Sequence, residues 1–179
     1  MFLMRVLASL FEFALTVVMS GLVIYATYRI FIKANPDFDM EAQIKKGNIA
    51  TGLLVATILV CASVFVQKGM ESVTGMVRLY LVAPASAPLP VWQLLAVSLG
   101  HLTLSLFLAV VTISLTLRLF GRCTSHLQNG KELEKGNIAI GILLSSVVIV
   151  ATLYVAQGVG SLSRALVPQP SIGRIQVFK

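Results

Sequence analysis

Residues 45–54 read KKGNIATGLL, and residues 134–143 read EKGNIAIGIL. Both carry Lys-Gly-Asn-Ile-Ala-x-Gly, 89 positions apart, each at the head of a long apolar run. Sliding the chain along itself by that displacement needs no gap. Lys46, Gly47, Asn48, Ile49, Ala50, Gly52 and Leu54 fall on Lys135, Gly136, Asn137, Ile138, Ala139, Gly141 and Leu143. Further on, Ala62, Val66, Gly69 and Ser72 meet Ala151, Val155, Gly158 and Ser161. Upstream, Arg29 and Phe31 meet Arg118 and Phe120. Apolar composition alone does not produce a gapless register of this length, so the chain reads as a tandem repeat.

The repeating unit belongs in a membrane. Of 179 residues, 57% are hydrophobic and only 12% charged, against about 25% charged in soluble domains. Residues 49–66 and 138–162 contain no charge, residues 88–117 contain only His101, and residues 7–28 contain only Glu12. A hydrocarbon core of about 30 Å takes roughly 20 helical residues to cross. Backbone groups inside it find no water, which leaves helices or closed barrels. Unbroken apolar runs without two-residue alternation exclude the barrel. The fold expected is all-α: a polytopic membrane protein of four transmembrane helices, built as two parallel repeats of a two-helix hairpin. Two spans per repeat send both halves into the membrane in the same direction, unlike inverted transporter repeats. The units expected are residues 1–83, a Pro-rich linker over 84–90, residues 91–167 and a tail from 168 to 179. Residues 1–18 have some features of a signal peptide, but Glu12 interrupts their apolar stretch, so they are read as the start of the first span.

The basic residues give the expected orientation. Eight of the fourteen lie in or beside the segments 29–46 and 118–135, and six on the opposite side. Positive-inside then places both segments in the cytoplasm and both termini outside. Asn35-Pro36-Asp37 and Asn129-Gly130 suit tight turns there. Residues 68–82 are mildly amphipathic and either extend the second helix or lie in the outer interface. The net charge of +7 is scattered over helix ends rather than gathered on a face, which argues against nucleic acid. Cys61 and Cys123 are expected as free thiols, since two cysteines make no disulfide scaffold.

Two sets of residues stand out within the spans. Asn48, Gly52 and Ala56 recur every four residues, as do Asn137, Gly141 and Ser145. This is the small-residue stripe that lets membrane helices approach closely. Gly47 and Gly136 precede the stripes, where glycine permits a turn. Helix packing is the reading preferred over a ligand site. In the preceding helices, Glu12, Thr16 and Ser20 run at the same interval, and the 89-residue shift places them on His101, Ser105 and Ala109, with Thr112 close by. Ionisable groups inside a membrane default to a functional hypothesis. These residues therefore form a candidate polar path or proton or cation site, with helix–helix hydrogen bonding as the alternative. The histidines and cysteines are not grouped for a metal, no phosphate-loop spacing occurs, and no catalytic triad can be named. Neither an enzyme nor a cofactor is expected.

The doubled Gly-Asn-x-Ala motif, one copy opening each repeat's second helix, resembles the DUF350 family of bacterial inner-membrane proteins over nearly the whole chain. His101, standing where the first copy has Glu12, departs from that pattern. The resemblance implies an inner-membrane protein with the four-helix architecture and no particular activity. By association with phage-shock-type membrane-remodelling proteins and polyamine-related enzymes, it also implies an envelope role. Two functions are expected to compete. One is a homo-oligomeric scaffold in the bilayer that engages a cytoplasmic protein through residues 29–46 and 118–135. The other is an ion or small-solute channel lined by the Glu12 and His101 stripes, which needs an oligomer because four helices enclose little space.

Overall fold

The computed structural model describes residues 2–33, 39–82 and 90–166. These comprise α1 (Phe2–Thr27) with a π-helical end (Tyr28–Lys33), α2 (Met40–Lys45), α3 (Ile49–Val82) and α4 (Val91–Cys123). A 3-10 turn (Ser125–Leu127), α5 (Asn129–Glu134) and α6 (Ile138–Leu166) follow. No strand occurs among the described residues. Four helices are long and apolar enough to cross a bilayer, over Ser9–Phe31, Ile49–Arg78, Trp92–Cys123 and Ile138–Leu162. That is the architecture of a multi-pass membrane protein.

Helix α3 is the centre of the bundle. It packs against α1, α4 and α6, and α4 packs against α6. Of the α3 span 56% is buried, against 17% of the α1 span. Ala50, Ile58, Ala62 and Phe65 are fully enclosed and meet Ile113 and Val148 from the second half in one apolar cluster. Helices α1 and α3 run antiparallel, with Glu12 against Arg78 at one end and Val23 facing Ser63 and Val66 further along. Helices α3 and α6 run parallel: Gly141 lies on Ala50 near their N-termini, and Gly160 lies beside Lys68 about 18 residues later. The outward faces are apolar, with Phe13, Val18, Trp92 and Phe107 exposed. A bilayer covers such surface at no cost, whereas water does not.

Residues 68–82 extend the second helix without a break. At 1.5 Å per residue, the 34 residues of α3 reach about 51 Å, beyond the roughly 30 Å hydrocarbon core. The first charge after Ile49 is Lys68, about 28 Å along. Lys68 pairs with Glu71 at 2.8 Å, so the projecting part of α3 carries its own ion pair.

Residues 39–46 and 118–135 are more ordered than loops. The side chain of Asp39 accepts a hydrogen bond from the Ala42 amide at 2.9 Å and caps α2, while Glu41 and Lys45 pair one turn apart at 2.8 Å. The Asn129-Gly130 turn is corrected. Both residues begin α5, and the left-handed residue is Gln128, at φ 46°. Asn129 instead donates to the Thr124 hydroxyl at 2.7 Å, tying α5 to the end of α4. The expected turn at residues 35–37, the linker at 84–89 and the tail at 168–179 lie outside the described residues. Pro90 is described and precedes α4 in an extended conformation.

Candidate functional site

The Lys-Gly-Asn motif is a corner between two helices. Gly47 has φ +78° and Gly136 +83°, left-handed values that glycine adopts without a Cβ penalty. The Gly47 amide donates to Ile44 O and the Asn48 amide to Gln43 O. Gly136 to Leu133 O and Asn137 to Glu132 O repeat the pattern. This is the Schellman termination, in which glycine just past a helix lets the chain satisfy the last carbonyls. The asparagine then caps the next helix. The Asn48 carbonyl oxygen accepts from the Thr51 amide and that of Asn137 from the Ala139 amide, both at 3.1 Å. One motif thus stops a short helix and starts a long one.

The other face of each asparagine differs. The Asn48 amide donates to Leu133 O at 2.8 Å and Glu134 O at 3.2 Å, bridging to the second corner. The Asn137 amide stays local and donates to the Glu132 carboxylate at 3.0 Å. The two glycines of the stripes also differ. A Cβ on Gly141 would meet Ala50 O at 2.8 Å and Ala50 Cα at 2.9 Å, whereas one on Gly52 would meet nothing within 4 Å. Ser145 is buried beside Gly141 in α6, while Ala56 is exposed.

Electrostatics outside the spans follow simple pairing. The hydrogen bond with Glu41, and then the Glu41 charge, raise the Lys45 pKa above the usual lysine value. Hydrogen bonds from Lys135 and then Asn137 hold the Glu132 carboxyl below the usual glutamate value. A depressed carboxylate contributes stability above its unfolded pKa and loses it as pH falls through the folded one. Replacing Asn137 by Ala should therefore move the Glu132 titration, followed by carboxyl NMR, upward toward the ordinary value. An unmoved titration would show that the amide does not hold the carboxylate.

The polar stripes of α1 and α4 lie in different surroundings. Glu12, Thr16 and Ser20 line an open groove of about 420 Å³ between α1 and α3, facing Ser63, Gln67, Glu71 and Thr74. Glu12 is paired with Arg78 at 3.0 Å. Arg78 is the partner that the sequence reading did not name. It lies on the projecting part of α3, which places the pair toward the membrane surface, where its desolvation costs little. His101 is buried and its Nδ1 lies 2.8 Å from Val97 O. Ser105 is fully buried and donates to His101 O at 2.8 Å. Both face Gly69, where a Cβ would collide with the Ser105 hydroxyl and stand 3.2 Å from His101 O. Thr112 is half-buried further along α4. The groove that Glu12 lines is thus not lined by His101. Among the described residues no cluster of metal-ligating side chains occurs.

Among known proteins, the family model described as Domain of Unknown Function (DUF350) matches residues 4–159. No curated protein and no solved structure matches the chain. The match spans both corners, all four long helices and both polar stripes, so the chain belongs to the DUF350 family.

Proposed function

We propose that this protein is an oligomeric scaffold subunit of the bacterial inner membrane, serving envelope or membrane-stress assemblies. Its two halves are parallel repeats of one helical hairpin. Residues 29–46 and 118–135 face the cytoplasm, where they engage a protein partner, and both termini lie outside. The observation that carries this reading is how the two ionisable stripe residues are used. Glu12 is ion-paired with Arg78, and His101 is enclosed in a close contact between α4 and α3. Groups spent in this way hold helices together and leave little for conduction. The ordered corners also support it, since α2 and α5 present short rigid helices rather than loose chain.

The channel remains the second reading because the α1/α3 groove is polar on both walls, with Thr16 and Ser20 from α1 and Gln67 and Glu71 from α3. Flux across liposomes separates the two. The scaffold reading expects no ion or polyamine flux above empty vesicles, and no change with Glu12→Gln or His101→Ala. Flux that both substitutions abolish would replace the scaffold with the channel.

A further inference from the structure

Residues 89 apart are chemically alike, yet they stand in opposite surroundings. Along α3, Ala50, Leu54, Cys61, Phe65 and Gly69 share one face and are all buried. That face lies against α4 and α6. Ala50 touches Gly141, Cys61 lies against Thr152, and Gly69 fits Ser105. On α6 the matching face is Ala139, Leu143, Val150, Tyr154 and Gly158, and all five are exposed. Phe65 is 0% exposed and Tyr154 is 77%. Cys61 is 3% exposed and Val150 is 53%.

The receiving side shows the reverse inequality. The α4/α6 groove that takes α3 is full, with Ser105 and Thr152 buried. Its counterpart between α1 and α3 holds the equivalent Thr16 and Ser63, and it is the open groove of about 420 Å³. At the corner, Leu133 sits beneath the Asn48 bridge and is 3% exposed, whereas the equivalent Ile44 is 41% exposed. Gly141 is covered by Ala50, and its equivalent Gly52 has open space above it. An interface seen once within the chain therefore leaves both of its halves unused, one on each side of the molecule.

We infer that copies of this chain assemble head to tail, with the α6 face of one copy seated in the α1/α3 groove of the next. Helix α6 then repeats what α3 does inside each chain. Tyr154 takes the place of Phe65, Gly158 meets Thr16 as Gly69 meets Ser105, and Ala139 covers Gly52 as Ala50 covers Gly141. Side-chain chemistry follows the same division. The exposed knob carries a phenol where the buried one carries a plain ring. The open groove offers Ser20 and Gln67 where the filled one has Ala109 and Ala156. A buried tyrosine hydroxyl needs a partner, and this groove supplies hydrogen-bonding groups. The Asn137 amide gains Ile44 O and Lys45 O of the neighbour, matching Asn48 on Leu133 O and Glu134 O. Such a contact joins different patches, so it propagates to a ring or a row instead of stopping at a twofold dimer.

The inference rests on the oligomeric reading above, and cysteine cross-linking in native membranes tests it separately. In a Cys61→Ala, Cys123→Ser background, Gly52→Cys with Ala139→Cys should give a ladder of disulfide-linked multimers, as should Thr16→Cys with Gly158→Cys. Each single substitution should stay unlinked, because a heterologous contact never brings a residue to its own copy. Single variants that link to dimers, or paired variants that bridge within one chain, would overturn the head-to-tail contact. Paired variants that do not link, in a protein whose native mass exceeds one chain, would remove this interface and leave the scaffold standing. A native mass of one chain would remove both. As a second measurement, Tyr154→Ala should weaken assembly by about tenfold, the loss expected of a truncated aromatic anchor, with the helical circular dichroism unchanged. Undiminished assembly would show that α6 is not the knob.

Discussion

Gly141→Leu should destabilise the bundle by about 3 kcal/mol or more, while Gly52→Leu in the same detergent-dispersed single chain should change it by less than about 0.5 kcal/mol. The two glycines hold equivalent places in the two copies of one motif, and only their neighbours differ. A Cβ on Gly141 falls 2.8 Å from Ala50 O, 2.9 Å from its Cα and 3.1 Å from its Cβ. Two of these three are main-chain atoms of a helix, which do not swing aside as a side-chain tip does. The α6 axis must back away from α3, and the close Gly141–Ala50 contact between the two most buried spans is lost. Among the described residues nothing lies within 4 Å of a Cβ placed on Gly52, so the start of a side chain there is unobstructed. Gly69 and Gly158 form a second such pair. A Cβ on Gly69 collides with Ser105, and one on Gly158 meets nothing within 4 Å. Gly69→Ala should therefore be costly and partly rescued by Ser105→Gly, which removes the obstructing hydroxyl. Reversible unfolding in mixed micelles, followed by circular dichroism, measures all of these. Equal costs at Gly141 and Gly52 would mean that the close contact belongs to the motif itself and not to its position.

The same comparison explains what could be read from the residues alone. The four spans are visible because charge exclusion over about 20 residues has one cause, the dry bilayer core. Gly47 and Gly136 are also legible, since a glycine followed by a capping asparagine marks a helix stop and start. That signal, with Asp39 upstream and the Glu41–Lys45 spacing, marks α2 (Met40–Lys45), yet counting apolar runs alone reads the segment as a loop and misses the short helix. The division of labour between the copies was not legible. Aligning Gly52 with Gly141 shows that they are equivalent in sequence, and equivalence says nothing about which one has a neighbour. The chain packs α3 onto α4 and α6 through one set of residues and leaves the matching set on α6 exposed, a choice made by tertiary geometry. For the same reason Glu12 and His101, aligned to the residue, differ in environment. One meets Arg78 across a hairpin 66 residues away, a pairing that no local pattern encodes, while the other is closed in by α3.

Asn48→Ala should cost about 2–3 kcal/mol and Asn137→Ala about 1 kcal/mol, again from identical residues in identical motifs. Both lose an N-cap, worth about 1 kcal/mol. Asn48 loses in addition the amide that reaches Leu133 O and Glu134 O, and a hydrogen bond contributes about 0.5–1.5 kcal/mol net. The acceptors are both main-chain carbonyls, so the group facing them must be the donating NH2, and this makes aspartate an informative probe. Asn48→Asp keeps an oxygen for the Thr51 amide but replaces the donor with a negative charge beside two carbonyl oxygens. It should be at least as damaging as Asn48→Ala, although its cap is intact. If the bridge were incidental and the cap the whole contribution, Asn48→Asp would instead be close to wild type, since Asp and Asn cap equally well. Unfolding of the two variants side by side therefore decides whether Asn48 acts within its own helix or fastens the first corner to the second. The structure's 2.8 Å bond to Leu133 O requires the latter. Because the Asn137 amide finds only Glu132 among the described residues of its chain, the extra cost at Asn48 also measures what Asn137 stands to gain when a neighbouring copy supplies the missing carbonyls.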